Sequence, residues 1–254
     1  MIKRDQLIEF TNQTLNYEKD KDPYGPNSLQ VIGKEDVGKI ALGVSANLDL
    51  FQKAARWGAD MIIVHHGLFW NKDERIINRL MKARLKVLFE EDITLLGYHY
   101  FLDTHPTLGN NAQIIKLLGA QKGKEFGVLD KVSWGYEAQF SKPITIDELI
   151  KRCKKLCGPQ VKIFKYGPKM IKKFAVVSGG GAGNLIEAID KNLDAYLTGE
   201  AKESTEAQAK EIGIHHLFLG HYNSEKFGVL ALGEVLKKKF SSLQIKFIDI
   251  PNPL

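Results

Sequence analysis

Short apolar runs alternate with segments of helical periodicity along almost the whole chain. In its first part the strand-like runs are "KIALGVS", "DMIIVHH" and "ITLLGYH". The segments "LDLFQKAARWGA" and "DERIINRLMKARLKVLFEE" lie between them and have the apolar spacing of amphipathic helices. This alternation of strands and helices predicts a parallel or mixed sheet with helices packed on it.

The pattern changes at residues 120–135, "AQKGKEFGVLDKVSWG", which are rich in glycine and lysine and have no helical period. We interpret this stretch as a boundary loop or a hairpin that leads to a second unit. Beyond it, strands and helices alternate again up to a final strand at residues 245–250. Three stretches share the order of helix end, apolar strand and polar residues: "GADMIIVHHG", "NLDAYLTGE" and "GIHHLFLGHYNSE". This shared order suggests two related α/β halves.

The composition is typical of a globular chain with a substantial core. The 254 residues are 44% hydrophobic and 26% charged, enough for one large domain or two small ones. No apolar run approaches the ~20 residues of a membrane span, and the first residues lack the apolar centre of a signal peptide. These observations favour a cytoplasmic protein without membrane contact. Cys153 and Cys157 match neither a C-x-x-C redox motif nor a zinc knuckle, and we expect reduced structural thiols.

The charge is modestly basic, with 36 Lys and Arg against 30 Asp and Glu and a net charge of +6. Many lysines fall on the solvent faces of predicted helices, which explains them without any ligand. The alternative is attraction of a phosphate-bearing ligand or a nucleic acid. No basic patch interleaved with aromatic residues supports nucleic-acid binding in particular.

Two adjacent histidines, His65 and His66, follow an apolar strand directly. Neighbouring side chains on a strand point to opposite faces, so both can serve one site only if the chain turns there. Gly67 provides a place for that turn. The carboxyl ends of strands are where open α/β sheets keep their sites, and neutral imidazole is a common metal ligand.

Two other predicted strand ends also carry residues that bind metals. Asp103 follows the third strand, in a loop with His99 and His105, although a turn or cap would also explain this aspartate. His221 and Glu225 follow a later strand. Three imidazoles and two carboxylates exceed the ligand set of one tetrahedral zinc ion and suit two divalent ions that share a carboxylate.

The second pair of adjacent histidines, His215 and His216, begins a strand instead of ending one. We expect these two side chains to lie at the far edge of the sheet, as structural residues.

A glycine loop, "VVSGGGAGNLIEAI", connects a strand to a helix. Its backbone amides, at Gly180, Gly181 and Gly183, are candidates for contact with an anionic substrate. The loop lacks the Lys-Ser or Lys-Thr of a P-loop, and a tight turn that packs the helix on the sheet is the alternative. Glu200, at another strand end, is a candidate wall residue of the same pocket.

Together these stretches resemble the Nif-three-like dinuclear metal-centre family, whose members are often named GTP cyclohydrolase I type 2 homologues. The resemblance covers nearly the whole chain, through "NSLQVIG", "GADMIIVHHGLFW", "GYHYFLDTHPTLGNN", "VVSGGGAG", "DAYLTGE" and "LFLGHYNSEKFGVLALGE". The metal ligands of the family fall on His65, His66, Asp103, His221 and Glu225, and all five residue types are as expected. Residues 22–28 differ from the usual sequence of the family, so the resemblance assigns no role to them.

The resemblance implies an α/β fold of two interlocked domains, with mixed sheets flanked by helices, and a toroidal homohexamer whose metal sites face an internal cavity. We place the first domain at residues 1–124, completed by residues 222–254, and the second at residues 125–221. The family resemblance also implies two divalent metal ions per subunit. Zinc, iron and manganese all suit such a ligand set.

Two functional classes follow from these features. The first is a metal-dependent hydrolase acting on a nucleotide or another small, anionic, phosphate-bearing molecule, with His99 as the proton-transfer group. The second is a ring that holds metals or binds nucleic acid without turnover. Steep salt dependence would distinguish the nucleic-acid ring from the enzyme.

Overall fold

The structure is a computed structural model that describes residues 1–129 and 132–253, and it divides into two compact units. The first unit comprises Met1–Leu108 and Gly228–Ile250. The second comprises Gly109–Phe227 with the residues from Pro251 onward. In sequence, the second unit is therefore inserted between the two segments of the first.

The helices and strands alternate in both units. The first segment of the first unit contains β1 (Ile2–Lys3), α1 (Arg4–Thr14), β2 (Ser28–Val31), β3 (Asp36–Val37), β4 (Lys39–Ser45), α2 (Leu48–Trp57), β5 (Met61–His66), α3 (Arg79–Glu90), β6 (Thr94–Gly97) and α4 (His99–Thr104). The second unit contains α5 (Asn110–Leu117), β7 (Gln121–Leu129), β8 (Val132–Thr145), α6 (Ile146–Cys157), β9 (Lys162–Lys165), β10 (Met170–Val177), a 3-10 helix (Gly181–Asn184), α7 (Leu185–Asp190), β11 (Ala195–Thr198), α8 (Ser204–Ile212), β12 (His215–Phe218) and α9 (His221–Ser224). The chain then returns to the first unit through α10 (Lys226–Lys239) and β13 (Gln244–Phe247).

The first unit is built on a five-stranded sheet of order β13-β4-β5-β6-β2. The first four strands run parallel, and β2 pairs with β6 in the antiparallel sense. The central strand β5 is buried from Met61 to His65, because a parallel sheet covered on both faces needs apolar side chains on both. Phe51 and Ala54 of α2 belong to the same core. Helix α2 begins at the Asn47 cap, whose side chain accepts a hydrogen bond from the Leu50 amide.

The second unit is built on a six-stranded sheet of order β7-β8-β10-β11-β12-β9. The strands β10, β11 and β12 run parallel, and the other three pair in the antiparallel sense. The parallel strands end close together at Gly179, Gly199 and Gly220, where the Glu200 amide donates to the Gly179 carbonyl and the Gly220 amide to that of Gly199. The α/β class with mixed sheets and packed helices is therefore confirmed.

The boundaries of the two units differ from the domains expected at 1–124 and 125–221. Residues 109–124 lie in the second unit, because Ile114 and Ile115 of α5 belong to its core together with Phe174 of β10. Residues 222–227 also lie there. The boundary loop or hairpin expected at 120–135 lies largely on the antiparallel partners β7 and β8, and residues 130 and 131 lie outside the described ones.

Candidate metal centre

His65 and His66 end strand β5 with their rings close together. The ring centroids lie 4.5 Å apart at an interplanar angle of 46°. The buried His65 directs its Nδ1 to the Tyr98 carbonyl at 3.3 Å, and the His66 Nδ1 lies 3.0 Å from the Ser45 hydroxyl. Because a carbonyl oxygen can only accept a hydrogen bond, Nδ1 carries the proton and Nε2 is left as the ligand atom of His65, the usual arrangement of a metal-binding histidine.

Gly67 is required at the end of β5 for a close approach. A Cβ added there would lie 2.2 Å from Gln30 Nε2 and 2.4 Å from Gln30 Oε1. The Gln30 side-chain Oε1 accepts a hydrogen bond from the Leu68 amide at 2.7 Å and so holds the chain that leaves the strand. The glycine thus makes room for a neighbouring side chain and does not need a left-handed backbone.

His99 and Asp103 lie on the short helix α4, not in the loop expected from the sequence. Because they are four residues apart on a helix, their side chains share one face. The Asp103 Oδ2 lies 3.6 Å from the His65 Nε2 and 3.9 Å from the His99 Nε2. One ligand atom from each of His65, His66 and His99 lies within 4.8 Å of the others. The first unit therefore brings three imidazoles and a carboxylate together.

Asp22 is the residue at this site that the sequence reasoning missed. Its side chain is buried, and its Oδ2 lies 2.9 Å from the His99 Nδ1. It also accepts hydrogen bonds from the Tyr24 amide, the Asn27 side chain and the Tyr100 amide. Burial raises the pKa of Asp22, but these donors and His99 outweigh it, so the pKa is lowered. An acidic residue that follows no strand gives no signal in the pattern.

In the second unit, His221 lies between two carboxylates. It begins α9, and its Nε2 lies 3.1 Å from Oε2 of the buried Glu225. Its Nδ1 contacts Glu200, which was expected only as a pocket wall. Burial lowers the pKa of His221, but the hydrogen bonds and charges of Glu225 and Glu200 raise it to about 9. Glu225 lies between α9 and α10.

The glycine loop makes room for this pair of side chains. Gly179 has a φ of +60°, and a Cβ added there would lie 2.0 Å from Glu225 Oε1 and 3.1 Å from His221 Nε2. Its amide donates to the Ser224 hydroxyl, which donates in turn to the His221 carbonyl. The absent side chain thus leaves space in which a carboxylate and an imidazole can act as ligands.

The three glycines expected to contact substrate differ in their exposure. Gly181 is buried, and its carbonyl accepts a hydrogen bond from the Tyr196 hydroxyl at 2.6 Å. Gly180 and Gly183 are exposed, and a Cβ added at Gly180 would meet nothing within 4 Å. Their role in substrate binding stays a prediction.

His215 and His216 have structural partners. The His215 Nε2 lies 2.8 Å from the Pro168 carbonyl, and its Nδ1 accepts from the Gly167 amide. The His216 ring stacks on Tyr196 at 5.3 Å. Among the described residues, neither histidine belongs to a group with metal-binding geometry. This arrangement agrees with the expectation that His215 and His216 lie apart from the metal-binding residues.

Each unit offers side-chain atoms of the kind that divalent metal ions bind. Imidazole nitrogens and carboxylate oxygens are ligands for zinc, iron and manganese. The first unit offers His65, His66, His99 and Asp103, and the second offers His221 and Glu225. The buried Cys153 and Cys157 lie on α6 and, in the described part of the chain, take no part in a metal-binding group.

Comparisons with known proteins agree over the whole chain. The family model described as Duf34/NIF3 (NGG1p interacting factor 3) matches residues 2–253. The "GTP cyclohydrolase 1 type 2 homolog" of Escherichia coli K12 is 39% identical over 99% of this chain and 100% of that protein. The Haemophilus influenzae protein of the same name is 38% identical over 98% of each.

Solved structures show the same similarity. The structure of the protein ybgI, described as of unknown function, superposes with a TM-score of 0.92 at 38% identity and covers 100% of both chains. Across the part of the chain that the structure describes, no helix combines the length and apolar character that a membrane crossing needs.

Proposed function

Because this chain belongs to the Duf34/NIF3 family, we propose that it is a metal-dependent hydrolase of a nucleotide or a related small phosphate-bearing molecule. The observation that carries the proposal is the gathering of His65, His66 and Asp103 with His99 beside them. One nitrogen of each of the three imidazoles lies within 4.8 Å of the others, and the Asp103 Oδ2 lies 3.6 Å from the His65 Nε2. Imidazoles and carboxylates gathered in this way are typical of functional sites.

The proposed ligands are His65, His66 and Asp103 from the first unit and His221 and Glu225 from the second. Five donors exceed the needs of one tetrahedral ion, and the family resemblance adds the two-ion form. When bound, two divalent ions polarise the group under attack and make a water molecule acidic enough to ionise near neutral pH. Metal analysis of protein purified without chelator distinguishes zinc, iron and manganese.

His99 is the proposed proton-transfer group. It is the one imidazole of the first cluster outside the family's ligand set. Its side chain is 17% exposed, whereas that of His65 is fully buried, so water and substrate can reach it. Its Nδ1 is bonded to Asp22, which leaves Nε2 to exchange protons on the side of Asp103.

An anionic substrate fits the charge and the glycine loop. The chain carries a net charge of +6, and the exposed Gly180 and Gly183 leave room for a phosphate near the loop amides. The relatives' shared name makes GTP one candidate substrate, and opening of its ring one candidate reaction. We further propose a cytoplasmic, toroidal homohexamer, on the family resemblance.

The test compares His99→Ala with Asp103→Ala in protein purified without chelator. Metal content is measured for both, and both are screened against nucleotides and phosphoesters. We expect His99→Ala to keep its metal and to lose turnover by ~10²–10⁴-fold, the usual contribution of a general acid or base. Asp103→Ala should lose both metal and turnover.

The competing function is a ring that binds metals or nucleic acid without turnover. If the metal-loaded protein hydrolyses nothing in the screen and binds single-stranded nucleic acid with steep salt dependence, the hydrolase proposal fails and the ring replaces it.

A further inference from the structure

We infer that Asp22 is the positioning residue of His99, and that its carboxylate fixes the tautomer and the ring orientation that direct Nε2 toward Asp103. The inference deepens the proposed hydrolase function, and the effect of Asp22 on turnover rests on that function. The effect of Asp22 on the His99 imidazole does not depend on any reaction.

The His99 Nδ1 nitrogen lies 2.9 Å from the Asp22 Oδ2, within hydrogen-bond distance. The same carboxylate accepts from the Tyr24 amide at 2.9 Å, the Asn27 side-chain amide at 2.8 Å and the Tyr100 amide at 3.2 Å. These three groups can only donate, so Asp22 is an acceptor throughout. His99 Nδ1 must therefore be the donor, and in a neutral ring Nε2 carries the lone pair.

A hydrogen bond also fixes the backbone of His99. The Asn27 side-chain oxygen accepts from the His99 amide at 2.6 Å, while its nitrogen donates to Asp22. One asparagine thus fixes both the carboxylate and the first residue of α4. Ser28, the next residue, has a φ of +75°, which is uncommon for a residue with a side chain, and its hydroxyl donates to Asn12. Such a conformation persists where the surroundings determine it, as they do at functional sites.

Two aromatic side chains hold the plane of the His99 imidazole. Tyr24 and Trp70 both meet the His99 ring edge-on, with centroids 5.9 Å and 5.1 Å away and interplanar angles of 79° and 81°. The ring is therefore held by two aromatic neighbours as well as by Asp22. With the plane and the Nδ1 proton both fixed, the Nε2 lone pair has one orientation, at an atom that lies 3.9 Å from the Asp103 Oδ2.

An acidic partner of this kind matters because the wrong tautomer places a proton where a lone pair is needed. In catalytic triads the buried aspartate holds the histidine in the correct tautomer and orientation. The Asp22–His99 pair has the same two components, without a nucleophilic serine in the pattern. It acts on the imidazole and does not itself reach the reacting atoms.

The test measures the tautomer of His99 by long-range ¹H–¹⁵N correlation in metal-free protein with ¹⁵N-labelled histidine. His99→Gln identifies the His99 signals. We expect the Nδ1–H tautomer in the wild type. Asp22→Ala removes the acceptor and should shift His99 toward Nε2–H. Asp22→Asn should keep Nδ1–H, because its side-chain oxygen can replace Oδ2 as the acceptor for His99 Nδ1, the Asn27 side chain and the Tyr100 amide.

Asp60→Ala is the matched control. Asp60 also accepts two backbone hydrogen bonds in the first unit, from the Gly38 and Lys39 amides at 2.8 Å and 3.0 Å, yet it does not contact His99. Thermal unfolding of both alanine variants separates general destabilisation from a change at the imidazole. Asp60→Ala should leave the His99 spectrum unchanged.

An Nε2–H tautomer in the wild type overturns the inference even if no variant folds. A folded Asp22→Ala protein that keeps Nδ1–H overturns it as well. If a hydrolysed substrate is found, Asp22→Ala should lower its turnover ~10²–10⁴-fold at unchanged metal content, as loss of a general base does. A wild type that hydrolyses nothing refutes the proposed function, while the tautomer still decides the role of Asp22.

Discussion

Gly179→Ala tests the second unit's part of the proposed metal centre with one methyl group. The added Cβ would lie 2.0 Å from Glu225 Oε1, whereas ordinary contacts begin at 3.4 Å. The carboxylate oxygen must therefore retreat by roughly 1.4 Å, far more than the ~0.2 Å tolerance of metal–ligand distances. The backbone itself, at a φ of +60°, adds a cost of about 1–2 kcal/mol for alanine.

We expect Gly179→Ala to lower metal affinity by at least ~10–100-fold, the usual effect of disturbing the support of a ligand. The assay is metal titration by calorimetry on chelator-treated protein, with bound metal counted by mass spectrometry. Far-ultraviolet circular dichroism establishes that the variant is folded.

Gly180→Ala is the matched control, because its added Cβ would meet nothing within 4 Å and its φ of −77° suits any residue. It should bind metal like the wild type. Equal affinities of wild type and Gly179→Ala would refute the reasoning, since Glu225 would then not need the space that the glycine leaves. Equal losses in both alanine variants would show a general effect on the loop.

Three further predictions concern pH, a structural histidine and assembly. Burial lowers the pKa of His216 from 6.5 to about 4, so the unfolded chain binds a proton that the folded chain rejects between those values. The free energy of unfolding in urea should therefore fall by about 3 kcal/mol as the pH falls from 6.5 to 4, and His216→Phe should lose this contribution. His215→Ala should keep its metal content, and loss of metal from the folded variant would contradict the strand-end argument. Light scattering at micromolar concentration should give the mass of a hexamer, and a monomer would refute the proposed ring.

The alternating pattern predicted the fold well because strand and helix periods are local properties. The strand "DMIIVHH" agrees closely with β5, whose apolar residues are buried on both faces. The helix expected from residue 73 begins only at Arg79, where the Asn78 side chain caps it by accepting from the Met81 amide. In the sequence, the charged residues that begin the stretch at residue 73 indicated a helix start more strongly than the Asn78 cap within it.

The candidate site was predicted less completely, since it depends on contacts between distant residues. The strand-end histidines carried a clear signal. The i,i+4 spacing of His99 with Asp103, and of His221 with Glu225, is compatible with a helix but too short a pattern to predict α4 and α9. Asp22 lies in a loop without periodicity, and its partner His99 is far along the chain. No local pattern could connect them.

The order of the first sheet has a consequence for synthesis on the ribosome. Strand β4 is made before residues 109–227 and its neighbour β13 after them, and the two strands pair through Gln244↔Lys39 and the three residue pairs that follow. Residues 109–227 are contiguous, so the second unit can fold while the first still lacks an edge strand. Until β13 arrives, the nascent chain exposes the open backbone of β4, a template for unwanted pairing. The first unit is therefore begun before the second and completed after it, and termination before residue 244 leaves that edge open to chaperones and proteases.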